Sequence, residues 1–119
     1  PGRSPVQTRV IYESKRLQAL QFLSEQVIKG RQGYIIYPLV EESEKVDLKN
    51  AVSEFEKLKV DFPKIRFALL HGRLSAEEKD AVMEEFRKGH TQVLVSTTVI
   101  EVGVDVPNAN IMMVEHAER

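Results

Sequence analysis

Ile65-Arg66-Phe67-Ala68-Leu69-Leu70-His71-Gly72-Arg73-Leu74-Ser75-Ala76-Glu77-Glu78 changes character twice. Its first part is a short apolar run, which reads as a strand buried on both faces. Ser75 to Glu78 then forms a capping-box pattern, with Glu78 placed to reach back to the Ser75 amide. Val82, Met83 and Phe86 continue at helical spacing, and Arg87, Lys88 and Gly89 close the helix. Gln92-Val93-Leu94-Val95 is the next apolar run. A strand, a capped helix and a second strand make a crossover unit, which joins parallel strands.

The same alternation extends outward. Thr8-Arg9-Val10-Ile11-Tyr12, Gly33-Tyr34-Ile35-Ile36-Tyr37 and Ile111-Met112-Met113-Val114 read as further strands. Leu17, Leu20, Leu23, Val27 and Ile28 form an apolar stripe, with Ser14 as a candidate cap and Lys29-Gly30 as the stop. Leu48, Ala51, Val52, Phe55 and Leu58 form another, ended near Pro63. The predicted order is β-α-β-α-β-α-β, a short helix, then β. That order specifies a three-layer α/β/α domain with an open parallel sheet and helices on both faces. Tyr34, Tyr37 and Phe67 sit within strand runs, as core residues rather than a base-stacking platform.

Composition bounds the function. The 119 residues suit one domain, spanning 1–119. Lys and Arg number 17 against 18 Asp and Glu, a net charge of -1, which excludes a polycation but not a local groove for nucleic acid. The absence of cysteine excludes disulfides, a thiolate zinc site and a cysteine nucleophile. No apolar run approaches the ~18–20 residues of a membrane helix, so no membrane partner is expected. The polar start, Pro1-Gly2-Arg3-Ser4-Pro5, and the stop at His116-Ala117-Glu118-Arg119 read as cut edges of a longer chain.

In open parallel sheets, ligands bind beyond the carboxyl ends of the strands. This singles out Pro38 to Ser43, His71 to Ser75, Ser96 to Asp105, and Glu115 to Arg119. At His71-Gly72-Arg73, glycine permits close backbone approach, Arg73 can meet a phosphate, and the following helix start favours anions. A plain turn is the bland alternative there. Ser96-Thr97-Thr98 ends a strand in three hydroxyls, and Gly103 and Asp105 follow. Hydroxyls and amides at a helix start hold phosphate oxygens, and a lone Asp can accept from a ribose. The same residues also suit simple caps. Glu41-Glu42-Ser43-Glu44 reads as a solvated face or an acidic first turn, and no second carboxylate cluster supports a Mg²⁺ site. His71, His90 and His116 lack metal-ligand spacing, so no metal site is expected. A triphosphate loop, Gly-x-x-x-x-Gly-Lys-Ser/Thr, is missing, so the chain is not a complete NTPase.

Thr97-Thr98-Val99-Ile100-Glu101-Val102-Gly103-Val104-Asp105-Val106-Pro107-Asn108-Ala109 resembles motif V of superfamily-two helicases, in the form carried by ATP-dependent helicases that remodel branched DNA. Leu70-His71-Gly72-Arg73-Leu74, Glu78-Lys79 and Val82-Met83 resemble the preceding conserved block of that family. Pro38-Leu39-Val40-Glu41-Glu42-Ser43 resembles motif IV, and Pro1-Gly2-Arg3 with Pro5-Val6 resembles the joint between the two motor lobes.

The resemblance implies the second RecA-like lobe, of P-loop NTPase-like fold, truncated before motif VI and inactive alone. Thr97, Thr98, His71, Gly72 and Arg73 would touch the DNA backbone. Gly103 and Asp105 would face ATP across the cleft, and Glu41 and Glu42 would belong to motif IV. ATP with Mg²⁺ would be bound mainly by the first lobe of the same chain. Motif VI would carry the arginine fingers, which in phosphoryl transfer are worth ~10³–10⁵ in rate. The implied setting is the bacterial cytoplasm, at the nucleoid. Val102 stands where related RNA helicases often carry Arg, so that nucleotide contact is not expected. The competing readings are a translocase lobe that couples transcription to repair, and a stand-alone flavodoxin-like binding or signalling domain.

Overall fold

The computed structural model describes residues 7–11, 16–37, 44–97, 106 and 108–115. Elements follow in the order β1 (Gln7–Ile11), α1 (Arg16–Ile28), β2 (Gln32–Ile36), α2 (Glu44–Asp61), β3 (Phe67–Leu70), α3 (Ala76–Arg87), β4 (Val93–Ser96) and β5 (Ala109–Glu115). The cap expected at Ser14 and the short helix expected between β4 and β5 lie outside the described residues.

The five strands form one sheet in the order β1-β5-β2-β4-β3, and every pairing is parallel. β2 lies at the centre, with Tyr34 opposite Leu94 on one side and Met112 on the other. Its five residues are all buried, as are the four of β4. Strands covered on both faces need apolar residues at every position, which is why these runs are continuous rather than alternating.

Alternation reappears in which helix each side chain meets. Ile35, Val93, Val95, Ile111 and Met113 pack with Leu20, Leu23 and Val27 of α1 and Leu58 of α2. Tyr34, Ile36, Leu70 and Leu94 pack with Met83 and Phe86 of α3. The rings of Tyr34 and Phe86 are 5.2 Å apart and tilted by 59°, a favourable aromatic geometry. The chain is therefore the three-layer α/β/α domain expected. Each fully buried Leu, Val or Phe adds about 1.5–3 kcal/mol relative to exposure.

The stripe expected on α1 is only partly internal. Leu20, Leu23 and Val27 are buried, whereas Leu17 and Ile28 are 65% and 79% exposed. Both lie on one flank of the helix, about a quarter turn from the line of Leu20, Leu23 and Val27. Val52 of α2 is also on the exposed side.

Two glycines have defined roles. Gly30 has φ +96°, the left-handed stop expected after α1. At Gly33 a Cβ would lie 2.7 Å from Leu23 Cδ1 and 3.2 Å from the Ile111 carbonyl, so its hydrogen lets α1 and β5 close on β2.

At the amino edge of the sheet, side chains staple loops to backbone carbonyls. Buried Gln32 donates from Nε2 to the carbonyls of Phe86 (2.7 Å) and Thr91 (2.9 Å). Asn108 donates to the Gly30 carbonyl and to Gln32 Oε1. Arg66 donates to the carbonyls of His90 and Gly89. Buried Gln32 thus has partners for both its amide nitrogen and its amide oxygen, as a folded interior requires.

Candidate functional site

The carboxyl ends of β3 and β4 meet at one corner. Leu70 pairs with Ser96, and the next amide along, that of Thr97, donates to the Leu70 carbonyl at 3.1 Å. His71 and Thr97 thus leave adjacent strand ends side by side.

The turn after β3 has a defined shape. The Arg73 amide donates to His71 Nδ1 at 3.2 Å, and the Leu74 amide donates to the His71 carbonyl at 3.3 Å. Accepting at Nδ1 requires a neutral ring with its proton on Nε2. Gly72 and Arg73 are exposed, and His71 is half-buried. Thr97 is only 4% exposed, so the solvent-facing atoms of this corner belong to Gly72 and Arg73.

α3 begins at once beyond this turn. The Glu78 amide donates to Ser75 Oγ at 3.1 Å, and the Ser75 amide donates to Glu78 Oε1 at 2.8 Å. The capping box is complete, and Glu77 and Glu78 occupy the first turn. Those carboxylates already answer the positive end of the helix dipole. An anion at this corner therefore meets the Gly72-Arg73 turn rather than the start of α3.

The structure thus brings His71, Gly72, Arg73 and Thr97 together. Thr98, Gly103, Asp105, Glu41 and Glu42 lie outside the described residues. Among the described residues no group of three or more His, Asp or Glu is arranged to hold a metal ion. No described helix is long and apolar enough to cross a membrane.

A second cluster on the same edge was not foreseen. Arg16, the first residue of α1, donates from Nε to Glu115 Oε2 at 2.9 Å. Its terminal nitrogen donates to Glu54 Oε1 at 2.7 Å and to the Tyr37 hydroxyl at 3.2 Å. Glu115 ends β5, Tyr37 follows β2, and Glu54 belongs to α2. The Tyr37 phenol is pushed well above the usual tyrosine range, first by burial and then by the Glu115 carboxylate, with Arg16 pulling the other way. For Arg16, burial is the largest influence and would lower its pKa, but the bonds and charges of Tyr37 and Glu115 together raise it above the ordinary value. The partners lie 21, 38 and 99 residues from Arg16, so no local pattern marks them.

Residues 8–118 match the helicase conserved C-terminal domain. The chain belongs to this helicase family. It is similar to the ATP-dependent DNA helicase RecG of Thermotoga maritima, at 49% identity over 100% of the chain and 15% of that protein. Identity to the RecG of Synechocystis sp. is 52%, over 100% of the chain and 14% of the relative. The helicase lobe also superposes on a solved structure of RecG bound to a three-way DNA junction, with TM-score 0.70, 45% identity and coverage of 94% of this chain and 14% of that one. The C-terminal domain of the DEAD-box protein Dbp5 shares the fold alone, at TM-score 0.53 and 17% identity, over 98% of this chain and 78% of that one. The chain spans about one seventh of the length of these RecG relatives. The RecA-like lobe expected from the motifs is therefore the lobe observed.

Proposed function

We propose that the chain is the second motor lobe of a RecG-type ATP-dependent DNA helicase, which unwinds and remodels branched DNA in recombination and repair. The observation that carries this reading is the identity of 49–52% to RecG helicases along the whole chain. The same relatives favour this over a transcription-coupled translocase, and the family match disfavours a flavodoxin-like domain. All of 1–119 is one domain of that motor, and motif VI follows it in the parent.

In this lobe the His71-Gly72-Arg73 turn, backed by buried Thr97, grips the DNA backbone, and Thr98 is assigned to the same grip. Gly72 and Arg73 supply an exposed amide-bearing turn and a cation, and Thr97 holds the corner closed. Phosphate contacts of this kind position a strand without reading its sequence, which suits a motor that steps over any sequence. Gly103 and Asp105 face the ATP cleft, and Glu41 and Glu42 belong to motif IV. ATP with Mg²⁺ is bound mainly by the first lobe. The parent acts on DNA in the bacterial cytoplasm, partnered by its own first lobe.

The test is phosphate release with and without branched DNA. The parent is expected to hydrolyse ATP faster with DNA, and the 119-residue chain alone to release none. A parent that DNA does not stimulate, or DNA-stimulated release by the isolated chain, contradicts the proposal.

A further inference from the structure

The two ends of the sheet are held in different ways. At the amino edge the staples run mainly from side chains to backbone carbonyls. At the carboxyl edge one guanidinium joins side chains from α2, β5 and the residue after β2 to the start of α1. The Arg16 and Glu54 side chains are 26% and 28% exposed, and Glu115 is 13% exposed. Charges buried to this degree lose to desolvation much of what they gain in attraction, so stability alone is a weak reason for the arrangement. What a planar fork with three acceptors does supply is angle as well as distance. If Tyr37 or Glu115 shifts, the bonds of the other partners are misaligned with it.

In sequence, Tyr37 and Glu115 immediately precede 38–43 and 116–119, which belong to the stretches singled out at the ligand edge. Tyr37 is tied to β4 as well, its amide donating to the Ser96 carbonyl at 2.8 Å, one residue before Thr97. The cluster therefore connects the start of α1 to the ends of β2 and β5 and, through the Tyr37 amide, to the end of β4 beside the DNA corner.

We propose that Arg16 is a positioning residue of the motor: it fixes where the chain leaves β2 and β5, and so couples DNA contact to ATP turnover. This rests on the reading of the chain as a motor lobe. Arg16 acts through Tyr37 and Glu115 and itself touches no reacting atom.

The experiment compares Arg16→Lys, Arg16→Ala and Tyr37→Phe in the full-length parent. The readouts are kcat and KM for ATP with and without branched DNA, and the melting temperature. Lysine keeps the charge but lacks the fork, so Arg16→Lys is expected to lower the DNA-stimulated kcat about tenfold, within the range known for small misplacements. KM for ATP and the melting temperature should change little. Tyr37→Phe, which removes one of three acceptors, should show a smaller loss of the same kind. If Arg16→Ala fails to fold, the other two variants decide. An Arg16→Lys enzyme that turns over like wild type, or losses that simply follow melting temperature, overturn the proposal. A wild-type parent without DNA stimulation overturns the motor reading and this proposal together; a stimulated wild type with an indifferent Arg16→Lys overturns only the role of Arg16.

Discussion

The Thr97 amide donates to the Leu70 carbonyl at 3.1 Å, which locks the end of β4 to the end of β3. It fixes the place of the His71 turn, and that turn is shaped in addition by the bond from the Arg73 amide to His71 Nδ1. Replacing His71 with Ala removes that acceptor. In the parent, DNA affinity should fall by roughly 2- to 10-fold, the worth of one hydrogen bond of about 0.5–1.5 kcal/mol. His71→Asn, whose amide oxygen can accept in place of Nδ1, should restore most of it. Fluorescence anisotropy with labelled branched DNA reads both, and an Asn variant as weak as the Ala variant would remove the turn-shaping role.

The capping box at α3 gives a stability prediction. Ser75→Ala loses the acceptor for the Glu78 amide. The expected cost is about 1 kcal/mol, seen as a fall of a few degrees in thermal unfolding. No change in melting temperature would show that the cap contributes nothing.

Gly33 gives a packing prediction. In Gly33→Ala the new methyl lies 2.7 Å from Leu23 Cδ1 and 3.2 Å from the Ile111 carbonyl. Leu23 is 2% exposed and the carbonyl belongs to the central sheet, so neither gives way easily. Overpacking of this kind costs about 1–3 kcal/mol. Chemical denaturation should show a lower midpoint, and an unchanged midpoint would mean that α1 can lift freely.

Tyr37 gives a pH prediction. Its pKa in the folded chain is raised by burial and by Glu115. A raised pKa means that the fold favours the protonated phenol. The stabilisation is therefore full below the unfolded tyrosine value of about 10 and is lost as pH climbs above it. Tyr37→Phe should flatten part of that alkaline loss, with little change in melting temperature at neutral pH. Melting curves of both proteins from neutral pH to above 10 check the sign. Identical alkaline limbs would contradict it.

The architecture was legible because its signals are local. Ser75 with Glu78 announced α3, continuous apolar runs announced β2 and β4, and Gly30 announced the end of α1. The shared edge of His71 and Thr97 was legible by one further rule, that ligand-binding loops follow strand carboxyl ends, and the bond from the Thr97 amide to the Leu70 carbonyl shows how close those ends are. Leu17 and Ile28 misled because both lie on the flank of the apolar stripe, beside rather than under the buried line of Leu20, Leu23 and Val27. Arg16 stayed hidden because its meaning lies in Tyr37, Glu54 and Glu115, each distant in sequence and ordinary in its own neighbourhood. Glu78 reads in the sequence as the capping-box partner of Ser75, and the assembled turn shows Glu77 and Glu78 together at the positive end of the helix.

The central claim is that the exposed turn beside Thr97 grips DNA by its phosphates. The most direct measurement is the salt dependence of branched-DNA binding by the full-length parent, wild type against Arg73→Ala. Loss of one phosphate contact should weaken binding to a similar degree on unrelated sequences and make the slope of log K against log salt shallower by about 1. A slope and affinity identical to wild type would contradict the claim.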